Sequence, residues 1–135
     1  MRICVHAILG LPGETREMMM QTAEALAALP IDGLKIHHLY IADHTILAKL
    51  HKASPVKTLS MEEYVPLACD FLERIPPHVA IQRLTGELKG DYLIAPLWNM
   101  SKKAVLAAIE KEFARRGACQ GKLCNKAQAP IPLAV

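Results

Sequence analysis

The stretch A-I-L-G-L-P-G-E-T at residues 7–15 ends an apolar run with two glycines, a proline, an acid and a hydroxyl residue. Residues 2–10 have the apolar character of a buried strand, and from Glu14 onward apolar residues recur at helical spacing. The stretch is therefore predicted to join a strand to a helix. In folds that alternate these elements, ligands bind at the carboxyl ends of the strands, where loops and helix N-termini converge.

The residues of this turn argue against a phosphate-binding loop but leave two alternatives open. A loop of the GxxxxGKS or GxxxxGKT type requires a lysine after its second glycine. Here Gly13 comes too early, and Glu14 occupies the position where a cation is needed. The dinucleotide-binding pattern GxGxxG is also absent. The turn is either the rim of another ligand site or a rigid connection that binds nothing.

The rest of the chain continues the alternation of strands and helices. Further strands are predicted over 34–42 and 79–84. Helices are predicted over 14–29, 45–51, 61–74 and 102–116, with Ser60 opening the third as a capping box and Ser101 capping the fourth. This order predicts a parallel sheet with helices on its faces, either a doubly wound domain or part of a (β/α)8 barrel. A whole barrel needs about 200–250 residues.

Composition narrows the classes of function. The net charge of +3 is mild, and the basic residues are scattered among acids, so charge alone does not indicate nucleic-acid binding. Aromatic residues make up only 4% of the 135 residues, too few for a base-stacking platform. No run approaches the ~20 apolar residues of a membrane helix, and the start lacks the cleavage site of a signal peptide. Four cysteines without a disulfide-scaffold spacing favour a reducing compartment and a cytoplasmic location.

Five segments, taken in order, carry a resemblance to a known family. They are HAILGLPGET (6–15), PIDGLKIHHLYI (30–41), SMEEYVPLACDFLERIPP (60–77), IQRLTGE (81–87) and LIAPLW (93–98). The series resembles the second half of a radical S-adenosylmethionine (radical SAM) barrel, most closely the YhcC-like branch, which is related to the catalytic subunit of elongator. The resemblance implies an α/β fold: a partial (β/α) TIM-type barrel of the radical SAM kind, with mostly parallel strands and flanking helices.

The resemblance also implies a cofactor site around the first strand. In the family, the strand before GLPGET is the fifth of the barrel and lines the adenine side of S-adenosylmethionine. Carried over, Ile8, Gly10, Leu11 and Pro12 would contact adenine or shape its pocket. Strand alternation places His6 on the same face as Ile8 and Gly10, the face expected to line the barrel lumen. A valine at Gly10 is expected to obstruct cofactor binding and to leave the fold largely intact.

The sixth strand of the family carries the candidate catalytic residues. The family pattern keeps Lys35 and His37, which are predicted to point inward, while Arg83 and Thr85 in QRLTGE join His6 as substrate-side candidates. Structural alternatives stay open for these residues. A histidine on a strand can be purely structural, Lys35 can reach past the strand end to water, and the QRLTGE residues can form a salt-bridged turn after the last strand.

The cysteine pattern does not supply the cluster that this chemistry uses. In the family, a 4Fe-4S cluster is held by three thiolates in a CxxxCxxC loop after the first barrel strand. Here Cys119 and Cys124 are spaced CxxxxC, Cys4 stands alone, and Cys69 falls on the apolar face of a helix and is interpreted as a core residue. No residue is assigned to a metal. S-adenosylmethionine and 4Fe-4S are therefore assigned to a full-length parent, and the cluster ligands to a part absent from this chain.

We interpret the chain as a C-terminal fragment of a radical SAM enzyme whose parent generates a 5′-deoxyadenosyl radical. Kinship alone suggests RNA or an acyl-CoA-type substrate. The expected partner is the missing N-terminal half of the barrel, and the chain by itself is expected to be inactive and to self-associate. The alternatives are a non-catalytic α/β binding or interaction module and, less favoured, a small metal-binding protein, whose HxxxH or CxxC spacings are absent.

Three segments are expected along the chain. Residues 1–100 would form the barrel part, 101–117 a C-terminal helix, and 118–135 a flexible tail. The family often has Gly-Thr-Pro after the sixth strand, where this chain has His-Thr-Ile at 44–46. Thr45 is therefore predicted to cap a helix.

Overall fold

A computed structural model describes residues 1–88 and 90–124 of the chain. Helices separate its main strands, as the sequence predicts. The elements are β1 (Cys4–Leu9), α1 (Arg16–Ala27), β2 (Gly33–His38), β3 (Ile41–Ala42), α2 (Ile46–Ala53), α3 (Met61–Leu72), β4 (Ala80–Arg83), a 3-10 turn (Gly90–Tyr92), β5 (Leu93–Ala95) and α4 (Lys102–Arg116).

The main sheet is parallel and places β2 between β1 and β4. Each of its strands is followed by a helix or a long connection, so all three carboxyl ends lie along one edge. The predicted parallel sheet is confirmed. A register shift interrupts the β2–β4 pairing between Leu34 and Lys35, so that Leu34 pairs with Ile81 and Lys35 with Arg83.

Local hydrogen bonds explain where the helices begin. Thr15, Thr45, Ser60 and Ser101 are N-caps, and the side chain of each accepts a hydrogen bond from a backbone N–H three residues on. Ser60 forms the predicted capping box, because Glu63 also accepts a hydrogen bond from the Ser60 backbone N–H.

The predicted strand over 34–42 is two strands in the structure. β2 ends at His38, and Ile41 and Ala42 then pair antiparallel with β5. The pairing partner of β3 lies about fifty residues later, in a segment for which the sequence predicts no strand. The strand propensity of residues 34–42 therefore could not show that the strand is interrupted after His38.

The core lies on one face of the sheet. Leu9, Leu34 and Ile36 are fully buried there against α3, which contributes Tyr64 and Phe71. Helices α1 and α4 complete this layer with Met19, Met20, Ala23, Val105 and Ile109, and Met18 is exposed.

The other face of the sheet, here called the open face, is left uncovered by the described residues. His6 and Ile8 of β1 are exposed on it, and Lys35 and His37 of β2 are half-buried. Side chains alternate between the two faces of a strand, so these four lie opposite the core residues. The remaining members of the open face are Cys4, Gly33, Ala80, Gln82 and, by its register, Arg83.

Charged and backbone contacts hold α4 and the segment after it to α3. The Arg116 guanidinium lies 2.6 Å from Asp70 and 3.2 Å from Glu73. The backbone N–H of Gly121 donates to the Leu72 carbonyl, and that of Leu123 to the Glu73 carbonyl. The predicted segment boundaries stay a prediction, and residues 125–135 of the predicted tail lie outside the described residues. Across 1–88 and 90–124, the structure has no helix with both the length and the apolarity to cross a membrane.

Candidate functional site

The side chain of Glu14 holds together the turn after β1. The Glu14 carboxylate accepts hydrogen bonds from the backbone N–H groups of Gly10 and Leu11, each at 3.0 Å. Those N–H groups are the ones with which a phosphate-binding loop would hold its ligand. A carboxylate already in that position both satisfies them and repels an anion, so this turn is not a phosphate site.

Gly10 is required here for two reasons. Its φ of +81° is a left-handed conformation that L side chains rarely adopt, and a Cβ added to it would lie 2.8 Å from the side chain of Leu59. The expectation that valine at this position leaves the fold intact is therefore wrong. Substitution would strain the backbone and displace Leu59, which packs against the core.

Apolar side chains are exposed at the carboxyl end of β1. Ile8 is 38% exposed and Leu11 44% exposed, and Pro12 between Leu11 and Gly13 is exposed as well. Exposed apolar surface beside a backbone with no Cβ suits the flat face of a purine. The geometry is compatible with the predicted adenine contacts, and their assignment to Ile8, Gly10, Leu11 and Pro12 stays a prediction.

His37 has a defined tautomer on the open face. Its Nδ1 lies 2.8 Å from the backbone carbonyl of His38, and a carbonyl oxygen only accepts, so Nδ1 carries the hydrogen. In the neutral ring, Nε2 is then the nitrogen with a free lone pair. The ring stacks on Tyr40, with centroids 5.5 Å apart and planes 17° apart. His37 can therefore accept a proton or a hydrogen bond at Nε2.

On the other side of β2, His38 sits in a cluster of aromatic rings. Its ring stacks on Trp98 at 3.7 Å between centroids and meets the rings of Tyr40 and Tyr64 edge-on at 4.4 Å and 5.2 Å. Burial, and secondarily the charge of His37, lower the pKa of His38 to about 4, so the ring is neutral near pH 7. Its Nδ1 has no hydrogen-bond partner among the described residues. Sequence reasoning missed this cluster, although the aromatic residue in LIAPLW is a signal for it.

A cavity of about 570 Å³ opens beside this cluster, where the chain leaves β2 and β4. Burial raises the pKa of the Tyr40 hydroxyl in its wall. Thr85 is only 3% exposed and lines this cavity, whereas Arg83 is exposed. The structure therefore separates two substrate-side candidates that the sequence reading placed together. The cavity is lined by His38, Tyr40, Thr85, Leu93, Trp98 and Val105, among others.

The cysteines do not form a cluster site. Within the two described ranges, no three His, Cys, Asp or Glu side chains are grouped so that they would hold a metal ion. Cys4 and Cys119 are exposed, and Cys69 is buried, which raises the pKa of its thiol to about 11. A 4Fe-4S cluster needs grouped thiolates. The described residues do not fit that group.

The chain matches a known protein family and several known proteins. The model of the Radical_SAM C-terminal domain family matches residues 31–115. The uncharacterized protein YtqA of Bacillus subtilis is 43% identical over 125 residues, which are 93% of this chain and 39% of YtqA. Protein YhcC of Escherichia coli is 28% identical over 130 residues, 96% of this chain and 42% of YhcC. The chain thus spans about two fifths of these relatives.

Similarity also extends to a solved structure. The archaeal Elp3 of Methanocaldococcus infernus, with an N-terminal deletion (1–46), superposes with a TM-score of 0.75 at 17% identity. The match covers 88% of this chain and 28% of that protein. At this identity the match speaks to fold alone, and it confirms the predicted α/β fold class.

Proposed function

We propose, because this chain belongs to the Radical_SAM C-terminal domain family, that it forms the part of a radical SAM enzyme that contacts the adenine of S-adenosylmethionine and the substrate. The 4Fe-4S ligands are assigned to a part of the enzyme outside this chain, since the described cysteines are not grouped. When bound, the cofactor and cluster would supply the 5′-deoxyadenosyl radical that abstracts hydrogen from the substrate.

The observation that carries the proposal is the composition of the open face. Ordinary sheet faces are covered by helices or carry scattered polar residues, whereas this one joins histidines and a lysine to an apolar rim at its carboxyl edge. Ile8 and Leu11 form the rim, and Lys35 and His37 lie beside it on β2. That combination suits a purine ring at the apolar rim and a polar substrate beside it.

Roles for the polar residues follow from their chemistry. His37 would accept a proton or a hydrogen bond at Nε2, because Nδ1 is already committed to the His38 carbonyl. Lys35 would donate hydrogen bonds from a half-buried position in the middle of the sheet. His6, in register with Lys35, would contact the same substrate from β1.

The β1 edge is the proposed site for the partner. β1 is an outer strand of the described sheet, so one row of its backbone N–H and C=O groups has no strand beside it. A strand from the N-terminal part of the barrel would pair there and close the open face. The alternative of a non-catalytic interaction module uses the same edge but requires no cofactor, and cofactor binding therefore separates the two.

A chimera tests the proposal. The segment of YtqA that matches this chain is replaced by the chain itself, the protein is reconstituted anaerobically with iron and sulfide, and S-adenosylmethionine affinity is measured by calorimetry. Leu11→Ala is expected to weaken binding about fivefold, since it removes part of a leucine contact worth about 1 kcal/mol. The matched control is Leu29→Ala, a leucine of similar exposure two residues after the end of α1. Equal affinities for the two variants would contradict the adenine assignment.

A further inference from the structure

Three basic side chains form one row across the main sheet. The parallel register pairs His6 of β1 with Lys35 of β2, and the shifted register of β4 pairs the same Lys35 with Arg83. Neighbouring strands lie about 4.8 Å apart, so the row spans about 10 Å. Arg83 is exposed, whereas the core side of β4 is covered by buried residues, and its side chain therefore belongs to the open side. We call His6, Lys35 and Arg83 the basic row.

The basic row forms no ion pair in the part of the chain that the structure describes. None of its three members takes part in an ion pair there. The other open-face positions on the three strands are Cys4, Ile8, Gly33, His37, Ala80 and Gln82, and none of them is an acid.

Two carboxylates near the ends of the sheet are engaged elsewhere, and Glu87, four residues after Arg83, forms no ion pair with it in the described chain. Asp32 accepts a hydrogen bond from the Ile3 backbone N–H at the opposite, amino end of the sheet, and Glu14 closes the turn after β1. Arg16, Arg74, Arg115 and Arg116 do find acids in this chain. The basic row therefore differs from these four arginines, which all form ion pairs within the chain.

Directly opposed like charges destabilise a sheet. Lys35 and Arg83 occupy neighbouring register positions, and a bound anion would turn their repulsion into attraction. A lysine and an arginine side by side can hold a tetrahedral or planar anion, the lysine as a point charge and the guanidinium through two parallel hydrogen bonds. His6 adds a third donor when it is protonated, or when its N–H faces the ligand.

We propose that the basic row binds an anionic group, phosphate or carboxylate, of the substrate. The proposal deepens the proposed function, because it rests on the open face being the substrate side and names the chemistry recognised there. His37 lies two residues beyond Lys35, nearer the carboxyl edge, and offers an acceptor at Nε2. A substrate held at the row by its anion thus meets a hydrogen-bond acceptor in the direction of the GLPGET turn.

The test uses the 135-residue chain and simple ions, with no S-adenosylmethionine. Inorganic phosphate and acetate are titrated separately, each against chloride at equal ionic strength, and the imidazole signals of His6 are followed by NMR. A saturable shift is expected with phosphate, acetate or both, and the tighter ion identifies the anion class. Lys35→Gln and Arg83→Gln are each expected to weaken binding about tenfold, as for loss of a charge-assisted hydrogen bond, while Lys35→Arg retains it.

Lys111→Gln is the matched control, because it removes one exposed positive charge from α4, outside the basic row. It is expected to leave the affinity unchanged. A shift that rises linearly without saturation, or one that Lys111→Gln reduces as much as Lys35→Gln does, overturns the proposal. Amide spectra establish the fold of each variant, and if Lys35→Gln is unfolded, the exposed Arg83→Gln decides the question. If the unsubstituted chain shows no saturable anion binding while the chimera still binds S-adenosylmethionine, the basic row is refuted and the cofactor site is left standing.

Discussion

Alanine at Gly10 should destabilise the chain more than alanine at Gly13, although the two glycines have nearly the same backbone conformation. Their φ angles are +81° and +76°. A Cβ at Gly10 would lie 2.8 Å from Cδ1 and Cγ of Leu59, whereas a Cβ at Gly13 would meet nothing within 4 Å. Gly13→Ala thus measures backbone strain alone, and Gly10→Ala measures strain plus the clash.

The magnitudes can be separated. A left-handed conformation costs a non-glycine residue about 1–2 kcal/mol, and this cost applies to both variants. Forcing an extra methyl group into a packed site costs about 1–3 kcal/mol, and this applies only to Gly10→Ala. We therefore expect the free energy of unfolding to fall by about 1–2 kcal/mol for Gly13→Ala and by about 2–5 kcal/mol for Gly10→Ala.

Urea denaturation followed by the fluorescence of Trp98, the single tryptophan, measures both values. A double-mutant cycle with Leu59→Ala isolates the clash, because the truncated side chain makes room for the new methyl group. Part of the Gly10→Ala loss should then be recovered in the Leu59→Ala background. Equal losses for the two glycine variants, or no recovery in the cycle, would refute the packing explanation.

Two further predictions concern the aromatic cluster and the sheet edge. Because His38 has a pKa of about 4 in the folded chain and about 6.5 when unfolded, the unfolded state binds the extra proton as pH falls from about 6.5 to 4. The free energy of unfolding should then fall by up to about 3 kcal/mol over that window. Urea denaturation at a series of pH values measures this, and a flatter pH dependence in His38→Phe would show that His38 causes the loss. Separately, the chain alone should sediment as dimers or larger species, since β1 is an unpaired edge. Ile8→Lys should shift it toward monomer, whereas a wild-type monomer at every concentration would rule out edge pairing.

Local sequence was sufficient for the helices and for the faces of the strands. A cap acts between residues three apart, so Ser60 and Glu63 by themselves predict where α3 begins. The two-residue period of a strand likewise places Lys35 and His37 on the face opposite Ile36, wherever the strand lies. The alternation of elements then predicted the parallel sheet.

Tertiary structure decided what lies next to those side chains. His38 meets Trp98 across sixty residues of chain, and their stacking depends on how β2 and the segment after β5 pack together. Lys35 meets Arg83 only because the β4 register shifts by one residue, which no pattern within either strand specifies. Periods and caps are short-range properties that a few residues encode by themselves. Register shifts and ring stacks are set by the sum of all packing contacts, and they become determined only when the whole chain has folded.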